Sequence, residues 1–167
     1  PLMRILLASN ASYFPPRGGS TRSNLAWLRA MAGAGHECRV ICAAAEAGTG
    51  AEREIAEQRL TSIVADGVEI CPVEGFARMA GRLSDEIHRF DPDWILVSSE
   101  DMAHSLIKEA DRAARGTVVY LAHTPQFMPF GPESWNPDRE ASECVSRAAG
   151  VVAISRAVAD YLREHTG

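Results

Sequence analysis

The chain has 167 residues, 46% hydrophobic and 23% charged, enough for one domain with a full core. Its formal net charge of −5, with no block of like charges, argues against a nucleic-acid partner, which needs a basic face. No apolar run approaches the roughly 20 residues of a membrane span, and no secretory signal is visible.

In chain order, Pro1-Leu2 reads as a tag remnant before Met3, the expected native start. Met3 to Ala8 is an apolar run of strand length. A loop holding Pro15-Pro16 and Gly18-Gly19 follows, a cluster of chain breakers. Ser20 or Thr21 is the expected cap of a helix to about Ala34, with Leu25, Leu28 and Ala32 at helical spacing and Gly35 as its stop. Glu37 to Ala43 is a second strand, and Ala44 to Gly50 a small-residue loop. Ala51 to Val64 carries a broken helical stripe and is predicted as a helix. Asp66-Gly67 turns the chain into a third strand, Val68 to Pro72.

Phe76, Met79, Ala80, Leu83, Ile87 and Phe90 recur at three and four, which predicts an amphipathic helix with Phe76, Met79, Leu83 and Ile87 in the core. Asp91-Pro92-Asp93 ends it. Trp94 to Ser98 is the fourth strand. Ser98 or Ser99 is the expected cap of the next helix, with Glu100 and Asp101 in its first turn, reaching about Arg115. Thr117 to Ala122 is the fifth strand, followed by a proline- and aromatic-rich loop, His123 to Pro137. A helix over Arg139 to Ala149, a strand over Val151 to Ile154 and a final helix capped by Ser155 complete the chain.

Apolar strands alternating with helices predict an α/β fold: a Rossmann-like, doubly wound parallel sheet of about six to seven strands with helices on both faces, in the order 3-2-1-4-5-6. In that order the loops Asn10–Gly19, Ser98–Asp101 and His123–Trp135 converge over one crevice at the carboxyl edge. Gly18 and Gly19 would let backbone N–H groups approach an anion at a helix N-terminus, with Arg17 and Arg22 beside them; a plain flexible turn explains them equally well. His123 could exchange hydrogen bonds with a sugar hydroxyl, or be tied to its own loop. Ser98, Ser99 and Glu100 are candidate cleft residues that double as capping residues. Phe127 and Trp135 belong to a loop that either contacts a ligand or packs on itself as a lid.

Several chemistries lack their signatures. There is no GxGxxG after the first strand, no acidic residue ending the second, no GKS or GKT, and no GxSxG. The histidines show no metal-ligand spacing, with His88, His104 and His165 expected on helices, so no metal is expected. The scattered Cys38, Cys42, Cys71 and Cys144 lack a CxxC pair and read as buried, reduced thiols in a cytoplasmic protein.

Three stretches together resemble the GT-B glycosyltransferases of family 4. They are Met-Arg-Ile-Leu-Leu-Ala-Ser-Asn through Tyr-Phe-Pro-Pro-Arg-Gly-Gly-Ser to Gly-His-Glu-Cys-Arg-Val-Ile; Phe-Asp-Pro-Asp-Trp-Ile-Leu-Val; and Ala-Gly-Val-Val-Ala-Ile-Ser-Arg-Ala-Val-Ala-Asp-Tyr-Leu. The resemblance implies the acceptor-side N-terminal half of a two-domain enzyme. That enzyme would transfer a sugar from a nucleotide-sugar, with retention and without a metal or other cofactor. By position, Gly18 and Gly19 match glycines beside the donor diphosphate, His123 a catalytic histidine near the donor sugar, and Ser155 the serine opening the last segment before the second domain. Ser20-Thr21-Arg22 departs from the acidic residue the family often has there, which leaves acceptor contacts in this loop open. The implied partners are a sugar-containing acceptor and, through the second domain, the nucleotide-sugar. Membrane association of the full enzyme stays open, since no basic amphipathic helix demands it. The domain by itself is expected to fold and to transfer no sugar. A stand-alone Rossmann-like binding module is the alternative, and an NAD-linked oxidoreductase domain is disfavoured by the missing fingerprint.

Overall fold

The computed structural model describes residues 1–45 and 62–166. The elements are β1 (Arg4–Ala8), α1 (Gly19–Gly33), β2 (Glu37–Ala43), β3 (Ile63–Ala65), β4 (Val68–Val73), α2 (Phe76–Phe90), β5 (Trp94–Ser98), α3 (Ser105–Ala113), β6 (Thr117–Ala122), α4 (Arg139–Arg147), β7 (Gly150–Ala153) and α5 (Arg156–His165), with a short 3-10 turn at Pro125–Phe127. The seven-stranded sheet has the order β3-β4-β2-β1-β5-β6-β7. Every neighbouring pair is parallel except β3 with β4. Apart from the extra edge strand β3, this is the expected doubly wound order.

The sheet buries both faces. Alternate residues of β1 go to opposite sides: Leu6 and Ala8 join the core under α2, α3, α4 and α5, whereas Ile5 and Leu7 join the core under α1 with Leu25, Leu28 and Tyr13. The strands flanking β1 are apolar through Val40-Ile41-Cys42 and Ile95-Leu96-Val97, as parallel strands covered on two sides must be, with Arg39 of β2 the exception. All four cysteines are buried free thiols. At the sheet edge this pattern fails, because Val151 and Val152 of β7 are partly exposed.

The expected helix over Ala51 to Val64 is not borne out at its end. Residues 51–61 lie outside the described residues, but Ile63 and Val64 pair antiparallel with Ile70 and Glu69 in β3. Asp66 and Gly67, both at positive φ, form the two-residue hairpin turn that an Asp-Gly pair favours. Ser20 and Thr21 do not cap α1. Gly18 stands at its start without a side-chain cap, and the Thr21 hydroxyl donates back to the carbonyls of Arg17 and Gly18. Ser98 and Ser99 do not cap the helix after β5 either. That helix begins at Ser105, and Asp101 does the capping: its carboxylate accepts from Leu106 N–H at 2.8 Å and from Ala103 N–H at 3.2 Å. Glu100 and Asp101 therefore precede the helix instead of filling its first turn. His104 also lies ahead of α3, in a left-handed conformation, with Nε2 2.7 Å from the Asn136 carbonyl. Ser155 caps α5 as expected, accepting from Val158 N–H at 3.2 Å.

One ion pair crosses from sheet to helix inside the core. Arg39 of β2 bridges Glu86 of α2 and Glu69 of β4, and its guanidinium lies 4.2 Å from the Phe90 ring centroid. The Glu86 side chain is only 2% exposed, and its other cation, Arg82, stands at 3.7 Å. Removing Arg39 leaves this buried carboxylate with Arg82 at 3.7 Å as its remaining cation. Arg39→Met is expected to cost about 3 kcal/mol in urea unfolding; a loss below about 1 kcal/mol, the range of surface pairs, would contradict this role.

Candidate functional site

The loops after β1, β5 and β6 meet at the carboxyl edge of the sheet and are bonded to one another. Ser20, in the first turn of α1, donates to Glu100 Oε1. Ser99 Oγ accepts from the backbone N–H of His123 at 3.0 Å. Asn136 Nδ2 donates to the Met102 carbonyl at 2.7 Å. The topology explains the meeting: β2 and β5 flank β1 on opposite sides, so the connections leaving β1 and β5 run in opposite directions and their loops border one crevice.

A buried polar cluster lies beneath the first loop. The two amide protons of Asn24 divide between the Tyr13 hydroxyl at 2.9 Å and His123 Nε2 at 3.4 Å. With Nε2 accepting, the proton of a neutral ring sits on Nδ1, which is buried without a partner. Burial pushes the His123 pKa below the ordinary value, opposed by the nearby Glu100 carboxylate. The imidazole is thus held neutral, with one N–H donor unspent. Burial likewise pushes the Tyr13 phenol up to about 12, so it stays a neutral hydroxyl.

Beside this cluster opens a groove of about 770 Å³, lined by the loop after β1, the start of α2, the loop after β5 and Phe127. Two of the expected cleft residues, Glu100 and Phe127, line it. His123 is 9% exposed and belongs to the polar cluster, not to the groove wall. Ser98 is buried beside Tyr120, and Ser99 is spent on the His123 backbone. Trp135 is exposed and packs edge-to-face on Phe127 with ring centroids 5.7 Å apart, so part of the aromatic loop does pack on itself. Gly18 and Gly19 are exposed at the start of α1, and a Cβ built on either would meet nothing within 4 Å. At Gly18 the φ of +93° still favours glycine. Arg17 and Arg22 are exposed and form no ion pair with a described residue.

Two groove features escape the sequence reading. Phe76, expected in the core, is 68% exposed and lines the groove. It opens α2 one turn before Met79, ahead of Met79, Leu83, Ile87 and Phe90, which are buried. Asn10 is the other: the sequence marks it only as the start of the crevice loop, not as a site residue, and its Oδ1 is buried without a partner. Among the described residues, no group of three or more His, Cys, Asp or Glu could hold a metal, and no helix is long and apolar enough to cross a membrane.

The depressed His123 pKa has a definite consequence. The unfolded chain takes up a proton at this residue below about pH 6.5, while the folded chain resists, so stability is full above that pH and falls as pH drops through it. Thermal or urea unfolding between about pH 8 and pH 5 should show this slope reduced in His123→Gln. An unchanged slope would show that the imidazole is not held neutral.

Against known proteins, the chain matches the family model "Glycosyltransferase Family 4" over residues 17–167. No curated protein matches it. Among solved structures, the Bordetella bronchiseptica enzyme WbmG in complex with NAD is 17% identical, with a TM-score of 0.49 over 92% of this chain and 52% of that one. WbmG in complex with NAD and UDP is 20% identical, with a TM-score of 0.48 over 92% of this chain and 52% of that one. The chain spans about half the length of these structures, and likenesses this distant carry no argument about ligands.

Proposed function

The chain belongs to glycosyltransferase family 4, and from that premise we propose that it is the acceptor-binding half of an enzyme that moves a sugar from a nucleotide-sugar to an acceptor with retention. The observation that carries the reading is the carboxyl-edge groove, joined through Glu100 and Ser20 to the exposed glycine start of α1.

In this reading each group has one task. The N–H groups opening α1 at Gly18 and Gly19 have no intrahelical partners, and they stabilise the charge developing on the departing diphosphate. Arg17 and Arg22 add positive potential beside them. His123, neutral and with Nδ1–H unspent, is covered in the unliganded chain; on donor binding the strand-end loops part from it, and Nδ1–H donates to a hydroxyl of the donor sugar and fixes its orientation. Asn24 sets the tautomer that makes this donation available. The acceptor lies in the groove with its hydroxyl toward Glu100. The donor's nucleotide is held by a second domain, closure of which excludes water. No protein nucleophile, metal or other cofactor takes part, and the enzyme works in the cytoplasm.

The test is release of nucleoside diphosphate by the full-length enzyme from a panel of nucleotide-sugars, with glycosides as acceptors. His123→Ala is expected to lower kcat by about 100-fold, the scale of a lost orienting contact, while leaving the protein folded. Unchanged kcat would remove His123 from the reaction. No diphosphate release from any donor by the folded parent enzyme would favour a binding module without catalysis.

A further inference from the structure

We infer that the groove takes a neutral, hydroxylated amphiphile, an acceptor whose apolar body lies on α2 and whose hydroxylated end meets Asn10 and Glu100. The assignment of this ligand as the acceptor rests on the transferase reading; the binding chemistry itself comes from the groove.

The groove has two unlike ends. One wall is apolar: Phe76, Ala77 and Ala80 from α2, Met102 from the loop after β5, and Phe127. Phe76 is 68% exposed and Met102 44% exposed, so this apolar surface faces water in the unliganded chain. The volume of about 770 Å³ is that of a small-molecule site, within the usual range of roughly 300–1,000 Å³. The small side chains of Ala77 and Ala80 leave room in this wall beside the larger ones.

The polar end offers oxygen acceptors. Asn10 Oδ1 and Glu100 Oε2 are both buried without hydrogen-bond partners. Both residues line the groove although these two oxygens lie beneath its surface, so a ligand hydroxyl meets them as the side chains turn toward it, and unsatisfied acceptors call for donors, which sugar or alcohol hydroxyls supply. The Glu100 and Asp101 carboxylates place negative charge at the same end and disfavour phosphorylated or otherwise anionic ligands. Asp101 is committed to the start of α3, so Glu100 and Asn10 are the groups left to receive the ligand. A purely polar sugar would leave the α2 wall in water, and a pure hydrocarbon would leave both oxygens unpaired.

Calorimetric titration of the chain with octyl β-glucoside below its micelle concentration, methyl β-glucoside and octyl sulfate tests this. The octyl glucoside is expected to bind at least about tenfold tighter than the methyl glucoside, the gain from burying two or three methylenes, and tighter than octyl sulfate. Ala80→Trp, which fills that room, should abolish octyl glucoside binding. Phe76→Ser, at an exposed position that does not threaten folding, should weaken it at least about threefold. Equal binding of the two glucosides, tighter binding of the sulfate, insensitivity to both variants, or no binding at all would overturn the proposal. Methyl glucoside that binds no worse, yet accepts sugar in the full-length enzyme, would sink the amphiphile and leave the transferase standing. Tight, variant-sensitive octyl glucoside binding without diphosphate release would do the reverse.

Discussion

The structure depends on β1 lying between two parallel neighbours. Its backbone pairs with β2 on one side and β5 on the other, so Leu7 faces Val40 and Leu96 across consecutive ladders. Parallel pairing forces each return through a crossover, and the crossover out of β1 to β2 and that out of β5 to β6 run in opposite directions. The loops at its carboxyl end must then part or be tied together. Here they are tied, by Ser20 to Glu100, by Asn24 to His123 and by Ser99 to the His123 backbone.

Those ties are polar, and the two at His123 are buried, which gives the site its electrostatic character. Burial keeps Tyr13 and His123 neutral while both remain hydrogen-bonding groups. A low local dielectric makes every unspent donor or acceptor there consequential. His123 Nδ1, Glu100 Oε2 and Asn10 Oδ1 are three such atoms, and all belong to segments following β1, β5 or β6. Apolar packing places the strands, and the residues just beyond the strand ends carry the chemistry.

Much of this was legible in the residues, because long periodic signals report tertiary burial. The order of the parallel strands, the α2 stripe from Met79 to Phe90 and the Ser155 cap followed from spacing and cap chemistry. Where the reading failed, short-range signals had more than one outlet. Ile63 and Val64 fit the end of a helical stripe as well as a short strand, and only pairing with β4 decides between them. Ser99 and Asp101 are both capping residues by type; the left-handed turn at His104 moved the helix start out of reach of the serine and left the carboxylate to cap it. Phe76 keeps the period of the core yet is exposed, which periodicity along one helix cannot reveal. The site residues were foreseen as strand-end neighbours, but not the division between a buried cluster around His123 and an open groove beside Glu100.

The central claim is that one binding region is built where the segments after β1, β5 and β6 meet. Backbone-amide NMR of the chain titrated with octyl β-glucoside tests it most directly. The account predicts shifts confined to a single patch that includes the amides of Asn10, Ala77, Glu100 and Phe127 together. Shifts concentrated at the opposite sheet edge near Gly35 and Thr117, or along β7, would contradict it.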